Sequence, residues 1–150
     1  EIMAMLAAKV GFICIPEGTL IDVVDGSIPI EELRAGDTVI GFDGEPTMLM
    51  QKHEYNENPR LERFLKITFD DDSSVNLCDM HRINNIRSKN LSLGDRIGGK
   101  IVKSIDWYSG VNVSYDLLTK DAGYRISGVP INSMIPEMME LVSSLRMENV

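Results

Sequence analysis

The chain has 150 residues, 43% of them hydrophobic and 25% charged, with a formal net charge of −8 at pH 7. This is ordinary composition for a single globular domain long enough to bury a proper core. The acidic balance and scattered basic residues argue against a nucleic-acid footprint or an anionic membrane surface, and no apolar run approaches the roughly 18–20 residues of a membrane span. Two cysteines, Cys14 and Cys78, are too few for a secreted disulfide scaffold, so a reducing, intracellular (cytoplasmic) setting is expected. The histidines, His53 and His81, have no ligand cluster around them in the sequence, and neither a metal nor a cofactor is expected. Residue 1 is Glu and no basic leader precedes EIMAMLAAKVGFI, so a signal peptide is not expected and the sequence reads as a fragment of a longer chain.

In chain order, residues 2–12 predict a short helix, with Ile2, Met5, Leu6 and Val10 near one face. From residue 14 to residue 132 the chain reads as short strands. LIDVV stops at Asp25-Gly26 and TVIGF at Asp43-Gly44, both hairpin signals. TMLMQKHEY runs into the loop NENP, and FLKITF alternates before three aspartates. SVNLCD, KIVKSIDWY, VNVSYDLLT and YRIS follow, each bounded by Gly, Asp or Asn. Strands at spacings of about ten residues predict an all-β domain, sandwich or barrel-like. IEELRAGDTVIG (30–41) and NLSLGDRIGG (90–99) share a Gly-Asp turn leading into a strand, which hints at a duplicated β unit. Residues 136–146, PEMMELVSSLR, predict a second short helix. Pro136 suits its first turn, and Glu137 and Glu140 suit its positive end.

Reactive side chains frame the β region. A Cys14 thiolate, next to the Ile13 carbonyl, can attack it through a five-membered ring and turn the amide into a thioester. At the far end, the Asn132 side-chain amide can attack its own backbone carbonyl, forming a succinimide and breaking the bond to Ser133. The Ser133 hydroxyl can accept an acyl group from Cys14. His81 follows a predicted strand and turn and can protonate a departing amide nitrogen; Cys78, three residues earlier, can share its site. Asp116 can activate Cys14 or relay a proton. Taken singly, each has a plainer reading. A lone Cys is most often a small buried hydrophobe, a lone His a surface or capping residue, Asn-Ser a turn dipeptide, and a strand carboxylate solvent-facing.

Three ordered motifs change that weighting. CIPEGTLIDVVDGSIPIEELRAGDTVIGFDGE resembles the N-terminal motif of Hint domains, the hedgehog/intein family, through Cys14, Gly18, Thr19, Asp25, Gly26, Ile30, Leu33, Gly36 and Asp37. FLKITFDDDSSVNLCDMHRI resembles the second motif, with His81 at the position of its His. VSYDLLTKDAGYRISGVPINS resembles the closing motif, with Tyr115, Asp116, Leu117, Tyr124, Gly128 and the terminal Asn132. The resemblance covers nearly all of 14–132 and implies a compact, horseshoe-like, pseudo-twofold β domain flanked by short helices. Residues 1–13 and 133–150 are then the flanking segments, and the form is that of a minimal intein or bacterial-intein-like domain.

The resemblance implies single-turnover autoprocessing: an N–S acyl shift at Cys14 assisted by His81 and Asp116, transfer to Ser133, and release of 14–132 by Asn132 cyclisation. Ile13 is finally joined to Ser133. The substrate is the chain's own flanking segments, with no nucleic acid and no membrane partner, and small thiols can intercept the thioester. The sequence departs from the family at three places. Position 78 is Cys where Thr is preferred, Ile131 stands where a penultimate His usually assists Asn cyclisation, and Ala122 stands near another expected His. These departures predict slow or incomplete splicing, with the N-terminal step the more robust. The alternative is a slow or inactive Hint-fold insert in a larger protein, of a style associated with phage or mobile elements. Hedgehog-like capture of the thioester by an external nucleophile is disfavoured by the Asn132-Ser133 match.

Overall fold

The computed structural model describes residues 15–148, with side chains described through residue 145. The helix predicted over 2–12 and the candidate nucleophile Cys14 lie outside the described residues. Among the described residues the chain is all-β with one closing helix. The strands are β1 (Ile15–Pro16), β2 (Leu20–Val23), β3 (Gly26–Pro29), β4 (Thr38–Ile40), β5 (Pro46–Asn56), β6 (Phe64–Phe69), β7 (Ser74–Cys78), β8 (Arg82–Ile83), β9 (Ile86–Arg87), β10 (Arg96–Ile97), β11 (Lys100–Tyr108), β12 (Val113–Thr119), β13 (Gly123–Ile126) and β14 (Val129–Asn132). Helix α1 spans Ile135–Glu148. Sheet orders are β1-β12-β5-β4, β10-β11-β6-β7 and β13-β14-β8-β9, with β2-β3 as a separate hairpin. Every pairing is antiparallel.

The Gly-Asp duplication hinted at by the sequence is a structural repeat. In the first copy, a 3-10 turn at Ile30–Glu32 leads to Gly36 at φ 97°, the Asp37 carboxylate accepts from the Arg34 N–H at 2.8 Å, and β4 begins. In the second, a 3-10 turn at Ser88–Asn90 leads to Gly94 at φ 90°, the Asp95 carboxylate accepts from the Ser92 N–H at 2.8 Å, and β10 begins. Both glycines sit in the left-handed region, where an added Cβ is strained, and both aspartates close the turn on a backbone donor. The backbone before each turn matches as well. Thr19 N–H donates to Pro16 O at 3.2 Å and Thr19 O accepts from Ile30 N–H at 2.8 Å. His81 N–H donates to Cys78 O at 3.3 Å and His81 O accepts from Ser88 N–H at 3.0 Å. Thr19 and His81 therefore occupy equivalent places, each at the mouth of a hairpin, as a pseudo-twofold arrangement requires.

Residues Ile15 to Ile131 share one apolar cluster, including Ile15, Leu33, Leu49, Ile67, Leu77, Ile97, Leu117 and Ile131. Burial of each such aliphatic chain contributes about 1.5–3 kcal/mol relative to exposure. The alternation of FLKITF places Leu65, Ile67 and Phe69 in this cluster, while Phe64, on the opposite face, is buried with Cys78 in a smaller one. The sequence reading missed β1, β3, β8, β9, β10 and β14 as separate strands. Each is two to four residues long, too short for a hydrophobic period to declare itself. Two turns set the β8–β9 and β13–β14 hairpins. Asn84 and Asn85 have φ of 50° and 68°, and Ser127 and Gly128 have φ of 53° and 74°. Two consecutive left-handed residues match the right-handed twist of the flanking strands, and Asn and Gly tolerate them best. The second turn brings Asn132 back beside Gly123, and the first brings the residues around His81 beside β14.

Candidate active site

His81 is fully buried where the turn after β7 enters β8. Its Nε2 lies 2.7 Å from the backbone oxygen of Asn132, which is the carbonyl of the Asn132–Ser133 peptide. A carbonyl oxygen only accepts, so Nε2 carries a proton and donates. Burial opposes charging of this ring. The Cys78 side chain, the Asp116 carboxylate and the Asn132 carbonyl together outweigh that, and the His81 pKa is held above the ordinary 6.5.

Asp116, on β12, is fully buried beside the imidazole, with Oδ1 3.9 Å from His81 Nε2. Oδ1 accepts from the Tyr124 hydroxyl at 2.7 Å. Oδ2 accepts from the N–H of Met134 at 2.6 Å and of Ile135 at 3.1 Å. Burial pushes the Asp116 pKa up while His81 pulls it back. Burial and the neighbouring carboxylate drive Tyr124 well above the usual phenol range, so it stays a donor. The carboxylate thus grips the chain just past Ser133, on the far side of the Asn132–Ser133 bond from β14.

Asn132 is the last residue of β14 and pairs with Gly123. The Gly123 position is tight: an added Cβ would lie 2.5 Å from Phe42 Cβ and 2.9 Å from the Ile131 oxygen. Ser133 donates its N–H to Ala122 O at 2.9 Å. Its side chain is buried, and Oγ has no hydrogen-bond partner among the described residues.

The fold therefore brings His81, Cys78, Asp116, Asn132 and Ser133 together. Cys14 lies outside the described residues; Ile15, which follows it, pairs with Tyr115, which precedes Asp116. Ile131, the residue before Asn132, is fully buried in the core and pairs with Tyr124 and Ile83. A polar ring there would need a buried partner, so the isoleucine fits its surroundings. Ala122 is a turn residue at φ 62° whose carbonyl serves the Ser133 N–H. His53 is elsewhere, half-buried on β5 between Tyr55 and Gln51. Sequence reasoning missed Asn85 and the hydroxyl of Tyr124 as site residues. The signal for Asn85 was present, since RINNIR is a two-residue hairpin sequence.

No family model matches the sequence, and no curated protein matches it. Solved structures do match in shape. A DnaB intein from Synechocystis superposes with a TM-score of 0.68 at 13% identity, covering 80% of this chain and 97% of that one. The Ssp DnaB mini-intein variant M86 gives 0.69 at 14% identity, covering 81% and 95%. The bacterial intein-like domain from Clostridium thermocellum gives 0.64 at 16% identity, covering 81% and 99%. This chain has the Hint fold. Within that fold the site lies where β14 ends and the chain passes into α1, against the residue that closes the second motif. No cluster of three or more metal-ligating side chains occurs among the described residues. No helix among them is long and apolar enough to cross a membrane.

Proposed function

We propose that this Hint-fold chain processes its own backbone, cutting at Asn132–Ser133 and at Ile13–Cys14 and joining the flanks when both steps proceed. The observation that carries the reading is the His81 donor 2.7 Å from the Asn132 carbonyl oxygen. In the C-terminal step, Asn132 Nδ2 attacks the Asn132 carbonyl carbon. A new C–N bond closes the succinimide, and negative charge develops on the oxygen that His81 faces. The bond to the Ser133 nitrogen then breaks, and the proton lost from Nδ2 passes to that nitrogen. The products are a domain ending in a C-terminal succinimide and a flank beginning with a free Ser133 amine. A buried donor aimed at the developing oxyanion is the arrangement that accelerates such a step. Asp116 supports it twice, by favouring the charged imidazole and by fixing Met134 and Ile135 so that the scissile peptide is held from both sides. For the N-terminal step the reading is an N–S acyl shift at Cys14, followed by transfer of the acyl group to the Ser133 hydroxyl. The buried Oγ of Ser133, without a hydrogen-bond partner among the described residues, supports that role.

A time course of intact mass on the purified chain, with and without dithiothreitol, tests this. Splicing yields a released domain plus a ligated flank. Thiol-dependent loss of residues 1–13 reports the thioester alone, and loss of 133–150 reports Asn132 cyclisation. Cys14→Ala should abolish the first cut and Asn132→Ala the second. A single unchanged mass over days would reject self-processing. It would leave the second reading, an unreactive insert of the same fold, which draws on the apolar Ile131 where a helper imidazole is usual.

A further inference from the structure

Asn85 holds the side-chain amide of Asn132 by two hydrogen bonds. The Asn85 backbone N–H donates to Asn132 Oδ1 at 2.8 Å, and Asn132 Nδ2 donates to Asn85 Oδ1 at 2.8 Å. The first bond fixes the identity of the atoms in the second. A backbone N–H only donates, so the Asn132 atom facing it is the oxygen and the other is the nitrogen. The Asn85 atom facing that nitrogen must then be its carbonyl oxygen. The pair is a closed amide–amide contact, and both members are set without ambiguity.

Asn85 is the second residue of the Asn84-Asn85 turn, at φ 68°. That left-handed turn aims its N–H and its side chain at the end of β14, and His81 enters the same hairpin from its other side. One hairpin thus supplies a donor to the carbonyl that is attacked and a two-point grip on the amide that attacks. On β14 itself the neighbouring residue is the buried Ile131, which brings no polar group.

We propose that Asn85 is the positioning residue for Asn132 cyclisation; this rests on the self-processing reading above. Three effects follow from the contact. The backbone N–H occupies Oδ1 and the Asn85 side chain orients Nδ2, so the nitrogen is the atom presented for attack. It restricts rotation about the Asn132 side-chain torsion, removing freedom that ring closure otherwise has to remove. The N–H bond to Oδ1 draws electron density toward the oxygen and makes the Nδ2 protons easier to lose. The Oδ1 of Asn85 receives a hydrogen bond from one of those protons. The covalent balance is that of the succinimide step already described, with no co-reactant.

Asn85→Gly is the informative variant. Glycine accepts φ 68° without strain and keeps the backbone donor, so the turn survives while the side-chain acceptor is lost. Asn85→Asp tolerates the same conformation and restores an acceptor as a carboxylate. Cleavage at Asn132–Ser133 is followed by intact mass in the parent chain, Asn85→Gly, Asn85→Asp and Asn132→Ala, with circular dichroism to check folding. The expected result is a loss on the order of tenfold in Asn85→Gly. Asn85→Asp should recover to within about threefold of the parent near neutral pH, and lose that recovery as pH falls through the carboxylate range near about 4. Cleavage in folded Asn85→Gly at the parent rate, with Asn132→Ala inactive, overturns the role of Asn85 and leaves self-processing intact. A faster Asn85→Gly also overturns it, because the contact is then a restraint. No cleavage in the parent overturns the self-processing reading, and the positioning role falls with it.

Discussion

Replacing His81 with alanine removes the proton donor that lies 2.7 Å from the Asn132 carbonyl oxygen. Loss of one preorganised donor to a developing oxyanion costs about 10²–10³ in rate, or about 2.7–4 kcal/mol of barrier. The upper part of that range is expected here. The ring is fully buried, so its field is little screened, and its neighbours raise its pKa, which favours the charged form. His81→Gln keeps an uncharged N–H donor and should lie between the two, about tenfold below the parent. The charge gives a second signature. The parent rate should fall as pH rises through the His81 pKa, which lies above 6.5, while the glutamine variant should show no such fall. The assay is intact mass at Asn132–Ser133 over a pH series, with denaturant unfolding to confirm that each chain is folded. A folded His81→Ala chain cleaving within about threefold of the parent would refute the oxyanion role. So would a parent rate that climbs through the same pH window.

Four further outcomes follow from the same geometry. Asp116→Ala strands the Tyr124 hydroxyl and the N–H groups of Met134 and Ile135, and should cost about 3–5 kcal/mol in a urea titration; a loss below about 1 kcal/mol would contradict the hydrogen-bond pattern. Gly123→Ala drives a Cβ into Phe42 and the Ile131 carbonyl, so both the unfolding midpoint and the cleavage rate should drop, by about 1–3 kcal/mol for stability. The folded His81 pKa is raised, so the native state holds the proton more tightly than the unfolded chain does. Its stabilisation is complete below about pH 6.5 and fades as pH rises through the folded value, an effect that should be absent in His81→Gln. Finally, residues 133–150 should stay bound after cleavage. Met134, Ile135 and Met138 are buried, and Glu137 bonds Arg82 at 3.3 Å and Arg87 at 2.7 Å, so the pieces should co-elute on size exclusion in buffer and separate in urea.

Much of the architecture was legible because its devices are local. The hairpin signals at Asp25-Gly26, the strand FLKITF and the helix beginning near Pro136 all stand where composition and period put them. The Gly-Asp turns were legible for the same reason, since Gly36 and Gly94 answer a backbone requirement and Asp37 and Asp95 satisfy donors within three residues. The short strands β8, β10 and β14 were not legible. A strand of two to four residues shows no clear period, and it exists only because a partner strand supplies its hydrogen bonds. The polar partners of Asp116 were hidden for a related reason. Tyr124 is eight residues away and the two N–H donors eighteen and nineteen, and no local pattern links them.

The sequence by itself determined which side chains are candidates for the chemistry and where they stand in the chain: Cys14 and Asn132-Ser133 at the ends, and His81 and Asp116 between them. It also determined that the residue before Asn132 is apolar. Only the tertiary structure decided what stands against Asn132. His81 and Asn85 are 51 and 47 residues away along the chain, yet both reach it through one hairpin docked on β14. The physical reason is that a strand end is completed by whatever packs beside it. Ile131 satisfies the core, and the polar contacts of Asn132 come from groups around another strand pair. Their arrival depends on register, which the whole fold sets.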